Sequence, residues 1–205
     1  MNAPVYDLTI ARGKTFEYAF LYSEDASNPL YADIAAITDT APVTLNVPAH
    51  GLPDGWPVRI EGVATPSQLN TAARDLQSDM SRVVDADHVL LAGINGSSWR
   101  DYRGGGQVVY AKPFDLTGCH ARATVRDRAG GNVLFRWHSS PDMERDGAIE
   151  MDAEGCQIVL IIDAATSAAL PWRRGVYELE LIDAAGRVHA VTAISRINVT
   201  KEVTT

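Results

Sequence analysis

Five histidines, two cysteines and a scatter of carboxylates are the side chains of this 205-residue sequence that could move protons, hold metals or attack a carbonyl. The histidines are His50, His88, His120, His138 and His189, and no two lie closer than eighteen residues. HExxH, CxxC and paired Cys/His spacings are absent, so no zinc site can be read. Cys119 has His120 beside it, but neighbouring strand residues face opposite ways, which denies the thiol its base. Cys119 and Cys156 both sit in apolar strand patterns and read as buried thiols, not as a disulfide. Asp85 and Asp87, with Asp79 or Asp101, could offer oxygens to calcium. The twelve-residue EF-hand spacing is missing, however, and carboxylates at turns commonly bond their own backbone.

Asp142, Glu144, Asp146, Glu150, Asp152 and Glu154 are dense enough to contain an acid–base pair, but charged loops and solvent-facing strand positions explain them more simply. GxSxG and GxxxxGK[ST] do not occur. Glycines 104–106 are followed by neither a helix nor a lysine, so they read as turn residues and not as a phosphate cradle. His50, in VPAHGLPDG, reads as a histidine bonding backbone across a Gly/Pro corner. Trp56, Trp99, Trp137 and Trp172 are dispersed, and Trp56 with Trp99 would form a carbohydrate platform only if the fold exposed them side by side. These residues assign no catalytic group, no metal and no cofactor, and the chain does not read as an enzyme.

The elements that carry these residues are strands. Residues 176–192 alternate cleanly, with Tyr177, Leu179 and Leu181 on one parity and Val176, Glu178, Glu180 and Ile182 on the other. That period marks a strand half covered by a core, and the polar stretch 183–186, ending in Gly186, turns it into a hairpin. Similar alternation predicts strands at residues 5–10, 15–22, 119–126, 133–137, 149–151, 156–162 and through Ile197 and Val199. Phe16, Tyr18, Phe20 and Tyr22 share one strand face, as core or contact surface. Asp163 is placed to cap a short helical turn before Pro171.

Between residues 34 and 110 the texture changes to short strands, at 34–38, 43–47, 56–60, 89–91 and 107–110, separated by Gly/Pro-rich turns. Leu69, Ala72 or Ala73, Leu76 and Met80 recur at helical spacing, which predicts one helix within residues 66–82. The fold class expected is all-β, a sandwich of residues 1–32 and 112–205 interrupted in one hairpin by a small β domain of residues 33–111.

Composition sets outer limits. The chain is 46% hydrophobic and 21% charged, as globular domains are, and its formal charge of −8 gives no basic footprint for nucleic acid. No apolar run reaches the length of a membrane span, and MNAPVYDLTI lacks the basic and apolar regions of a signal peptide.

Two stretches resemble known families. Residues 34–110 carry PVT, PAHGL, the Leu69–Asn70 pair, the Asp-Ala-Asp turn at 85–87, and Tyr102 before glycines 104–106. This series resembles a small β-barrel module of tailed-bacteriophage proteins, often described as similar to a domain of ubiquitin-activating enzymes. Residues 71–82 lengthen the usual run between the Leu-Asn pair and that turn. The outer part carries YDLTI, DLTG at 115–118, and Trp172 followed by GVYELEL and Gly186-Arg187-Val188. It resembles small immunoglobulin-like structural proteins of phage virions. The resemblance implies an immunoglobulin-like sandwich with an inserted barrel, located in the virion after assembly in the host cytoplasm. It implies a place in the tail, neck, baseplate or head surface, with other virion proteins as partners and self-association in a symmetric ring or array. The contact candidates on this reading are Phe16, Tyr18, Phe20, His50, Trp56, Trp99, Tyr102, Ile197 and Val199. The alternative is a module that binds a host glycan or receptor.

Overall fold

Strands are the dominant element, and period-two alternation of apolar residues builds the longer ones. The computed structural model describes residues 3–25, 27–72 and 81–201. It is all-β apart from two short helices and divides into two compact units, Met1–Tyr22 with Asp115–Thr205, and Ser23–Phe114. In chain order the first unit opens with β1 (Leu8–Ala11) and β2 (Phe16–Leu21). The second unit follows with β3 (Leu30–Asp33), β4 (Ala36–Thr40), β5 (Val43–Asn46), β6 (Arg59–Glu61), α1 (Gln68–Ala72), β7 (Ser81–Asp85), β8 (His88–Leu91) and β9 (Gln107–Tyr110). The chain then completes the first unit with β10 (His120–Arg126), β11 (Val133–His138), β12 (Gly147–Asp152), β13 (Gln157–Ile162), α2 (Ala164–Ala169), β14 (Arg174–Ile182), β15 (Val188–Ala190) and β16 (Ser195–Thr200). Among the described residues no helix is long and apolar enough to cross a membrane.

The first unit is built on one continuous ladder, β1-β16-β14-β10-β11-β12-β13-β2, with β15 paired to β14, which makes a nearly closed, barrel-like sheet. β1 runs parallel to β16, and β11 meets β12 in parallel through only Trp137↔Gly147 and His138↔Ala148. The inward rows fill one core. Tyr177, Leu179 and Leu181 of β14 face it with Ala121, Ala123 and Val125 of β10, while Ile158, Leu160 and Ile162 come from β13. Gly147 is the close-approach position, since a Cβ there would lie 2.7 Å from the Trp137 ring. Trp137 Nε1 donates to the Ile161 carbonyl at 3.1 Å, so its one polar atom is satisfied inside the core. The 176–192 hairpin forms with Glu180↔Ala190 and Ile182↔Val188 in register. Asp163 caps α2, accepting from the Thr166 N–H at 2.8 Å. Cys119 and Cys156 are free and buried, and burial raises both thiol pKa values.

Three expectations change. The second unit does not interrupt a hairpin, because β2 pairs with β13 while β10 pairs with β11 and β14. β3 is a strand that no alternation predicts, with Leu30, Tyr31 and Asp33 all exposed. It pairs with β9 inside the second unit, as does the Ser23↔Pro113 bridge, so residues 23–32 belong there. The helix expected within 66–82 is observed at Gln68–Ala72, whereas Ser81 and Arg82 lie in β7, paired with Leu91 and Leu90. Residues 73–80, with Leu76 and Met80, lie outside the described residues.

The second unit lays its strands out as two sheets, β3-β9-β6 and β4-β5-β8-β7. Its core gathers Val43, Leu45 and Val47 with Trp56, Ile60, Leu69, Val89, Leu91 and Val108, all under 3% exposed.

Candidate interaction surfaces

The outward rows of β10 and β14 bring polar side chains together in register, Arg122 against Glu180, Thr124 against Glu178 and Arg126 against Val176. With Ala129, Gly130 and Ile194 they line an open groove of about 360 Å³. Arg122 Nε donates to Glu180 Oε2 at 2.7 Å, and an Arg126 guanidinium N–H donates to the Gly131 carbonyl at 2.7 Å. The same face extends to Arg136 on β11, Arg174 at the start of β14 and Arg196 on β16. Five arginines therefore stand against Glu178 and Glu180 on these strands, in a chain whose formal charge is −8. His138, at the β11 end, has its pKa lowered, first by burial and then by the nearby His120, Arg122 and Arg145. Guanidinium forks on an exposed sheet face suit carboxylate partners, which they can hold through two parallel hydrogen bonds. In the sequence, Glu178 and Glu180 fall on the parity opposite Tyr177, Leu179 and Leu181, while the arginines are spread over separate strands. The signal was present in the alternation of HARATVR at 120–126.

The aromatic strand divides. Phe16 and Phe20 are core residues, 9% and 4% exposed, because β2 turns that face onto the shared interior. Tyr18, on the same parity, is 37% exposed and lies 4.7 Å from Phe20 between ring centroids. Tyr6 stands edge-on to Phe20 at 5.4 Å, and its carbonyl accepts from the Tyr177 hydroxyl at 2.6 Å. Burial raises the Tyr177 phenol pKa. Ile197 and Val199 are corrected from contact candidates to core, since β16 is covered by β1 and β14 and both side chains point inward. Of the first-unit candidates, Tyr18 alone remains on the surface.

In the second unit the candidates prove to be fasteners. His50 is 4% exposed; Leu52 N–H donates to Nδ1 at 3.0 Å, and Nε2 donates to the Asp85 carbonyl at 3.0 Å. Both ring nitrogens therefore bond backbone, as the Gly/Pro corner implied. Trp56 is 2% exposed and donates from Nε1 to the Ala111 carbonyl at 2.8 Å. Trp99 is half-buried and folds back over Gly96, where a Cβ would come within 2.6 Å of the ring. The side-by-side exposed pair that a carbohydrate platform needs is not formed, because Trp56 is engaged in the core. The Tyr102 hydroxyl lies 2.7 Å from the Ile34 carbonyl and 2.8 Å from that of Gly105, pinning the glycine loop.

Among the carboxylates considered for calcium or catalysis, Asp85, Asp87, Asp146 and Asp152 are engaged by backbone N–H groups. Asp85 accepts from the Asp87 N–H and from His88 Nδ1, and these bonds lower its pKa. Asp87 accepts from Ala49 N–H, Asp146 from Arg136 N–H, and Asp152 from Gly155 N–H. Asp79 lies outside the described residues, and among those described no cluster of three metal-ligating side chains forms. The most strongly perturbed carboxylate is Asp183, 8% exposed in the β14–β15 turn. It accepts from His189 Nε2, from the Ala185 and Arg187 N–H groups and from Arg187 Nε, and it is held well below the usual carboxylate range. In the sequence this residue shows only as the start of the turn 183–186.

Comparison with known proteins adds no identification: no family model matches the chain, and no curated protein matches it significantly.

Proposed function

We propose that the chain is a structural component of a tailed-bacteriophage virion that joins neighbouring proteins by surface contact and carries out no bond chemistry. The observation that carries this reading is the strand order of the first unit. The runs β1-β16-β14-β10-β11 and β12-β13-β2, with β1 parallel to β16, suit an immunoglobulin-like sandwich. The second unit enters between β2 and β10, where the sequence resemblance puts a barrel module. A further support is the arginine-bearing sheet face, because sheet faces and strand edges are how sandwiches meet their neighbours. The position within the particle, whether tail, neck, baseplate or head surface, stays part of the proposal, as does assembly in the host cytoplasm.

Mass spectrometry and cryo-electron microscopy of purified particles encoding this chain test the reading. The expected result is a stoichiometric band and density that accepts the nine-stranded sheet of the first unit. Absence of the chain from purified particles overturns it.

A further inference from the structure

Charge is segregated within the first unit. β2, β12 and β13 contain no lysine, arginine or histidine, and their exposed charges are Glu17, Glu150 and Asp152. The strands β1, β16, β14, β10 and β11 carry the five arginines and two glutamates described above. The two strand groups look outward from one shared core, one face negative and the other positive.

The acidic face also has an apolar centre. β13 reads QIVLII, an uninterrupted run of the kind found in strands covered on both sides. Its inward row, Ile158, Leu160 and Ile162, is buried, while Val159 and Ile161 point outward and stay partly exposed. Val159 lies between Glu150 and Ala19 in the ladder, and Ile161 between Ala148 and Glu17. A small aliphatic centre with a carboxylate rim has the anatomy of a protein contact. The arginine face offers the complement, with Val176 and the half-exposed Ile194 among the groove residues and guanidiniums around them.

We infer that a second copy of this chain seats its arginine-bearing β14–β10–β16 face on the acidic β2–β13–β12 face, giving head-to-tail self-association. A two-fold pairing of either face with itself sets like charges opposite one another, so charge selects the heterologous arrangement. Such a contact leaves one free face at each end, and it grows into a closed ring or an open filament according to its rotation. The inference deepens the proposed function and rests on it for its setting in the virion, but its test does not.

The test is sedimentation velocity on the full chain over a wide concentration range. Species larger than a dimer are expected, and raising salt from about 0.1 M to about 1 M weakens them, because the Debye length falls from roughly 10 Å to 3 Å. Glu17→Arg with Glu150→Arg reverses the acidic face, and Arg174→Glu with Arg196→Glu reverses the other. All four are solvent-facing, so each variant should melt with the wild-type chain. Each alone is expected to raise the apparent Kd at least about tenfold. Mixed together they present opposite charges at both junctions and should reassemble in alternation. A wild-type chain that stays monomeric at low salt overturns the inference. So does association indifferent to both reversals, or folded variants that fail to reassemble when mixed. A monomeric chain found in purified particles removes this inference and leaves the virion role standing. Oligomers of a chain absent from particles do the reverse.

Discussion

The two units are held together by different means. The first relies on long ladders, with nine residues in β14 and seven in β10, and on inward rows that share one core. The second has strands of three to five residues, which gather a core of their own, and it also fastens its loops with polar side chains. His50 ties the 50–52 corner to Asp85, and the Tyr110 hydroxyl donates back to the His50 carbonyl at 2.7 Å. Asn70 bonds both the N–H and the carbonyl of Val63, at 2.9 and 2.8 Å. Asp54 accepts from Val83 N–H at 2.9 Å. A buried apolar row tolerates conservative exchange as long as volume is kept, whereas a buried fastener fails when one partner is removed.

Trp137→Ala should break the first side of this comparison hardest. The ring is 1% exposed, sits on Gly147 and donates to Ile161, so truncation leaves a cavity and an unpaired carbonyl. The expected loss is about 3–5 kcal/mol. Hydrogen exchange read by mass spectrometry should show lost protection in β10–β14, with β5 and β8 unchanged. Loss of protection in both units together would show that they are not separable as described. His50→Ala is the counterpart in the second unit, expected to cost about 1–3 kcal/mol by stranding the Leu52 N–H and the Asp85 carbonyl. There the protection loss should fall on β5, β7 and β8. His50→Gln should recover part of it, since an amide both donates and accepts.

The same contrast governs what could be read from sequence. The 176–192 hairpin, the α2 cap at Asp163 and the strands at 119–126 and 156–162 were legible, because period-two alternation and capping are local rules. β3 was not legible, because pairing with β9 fixes it and neither of its faces is buried. Ser81 and Arg82 continued a helical pattern that cross-strand pairing to β8 overrides. At the candidate sites, the His50 corner could be read because its Gly/Pro context restricts the backbone. The burial of Ile197 and Val199 depended on β1 running parallel beside them, a non-local fact. The arginine face was written in outward positions of four strands, β10, β11, β14 and β16, but only their order in the sheet makes them one surface.

A smaller effect probes a fastener inside the first unit. Asp183 has its folded pKa depressed, mainly by the hydrogen bond from His189 and then by the Arg187 backbone N–H. The unfolded value is about 4. The ionised carboxylate therefore stabilises the fold fully above about pH 4, and that stabilisation fades as pH falls toward the folded value. Asp183→Asn should lower Tm at neutral pH, and its gap from the wild-type chain should narrow below about pH 4. A gap constant with pH would mean that the carboxylate charge is not what holds the turn.

The smallest effect is expected at Arg122 and Glu180, whose side chains are 51% and 37% exposed despite a 2.7 Å contact. Exposed pairs lose most of their Coulomb attraction to solvent screening. A double-mutant cycle with Arg122→Ala and Glu180→Ala should give a coupling of about 0.2–1 kcal/mol. This low value matters for the arginine face as a whole. If Arg174→Glu with Arg196→Glu also keeps the wild-type Tm, a large loss of self-association on that reversal cannot come from unfolding. A coupling well above 1 kcal/mol would instead make the face part of the scaffold, and the contrast between a self-sufficient core and an outward-looking surface would have to be redrawn.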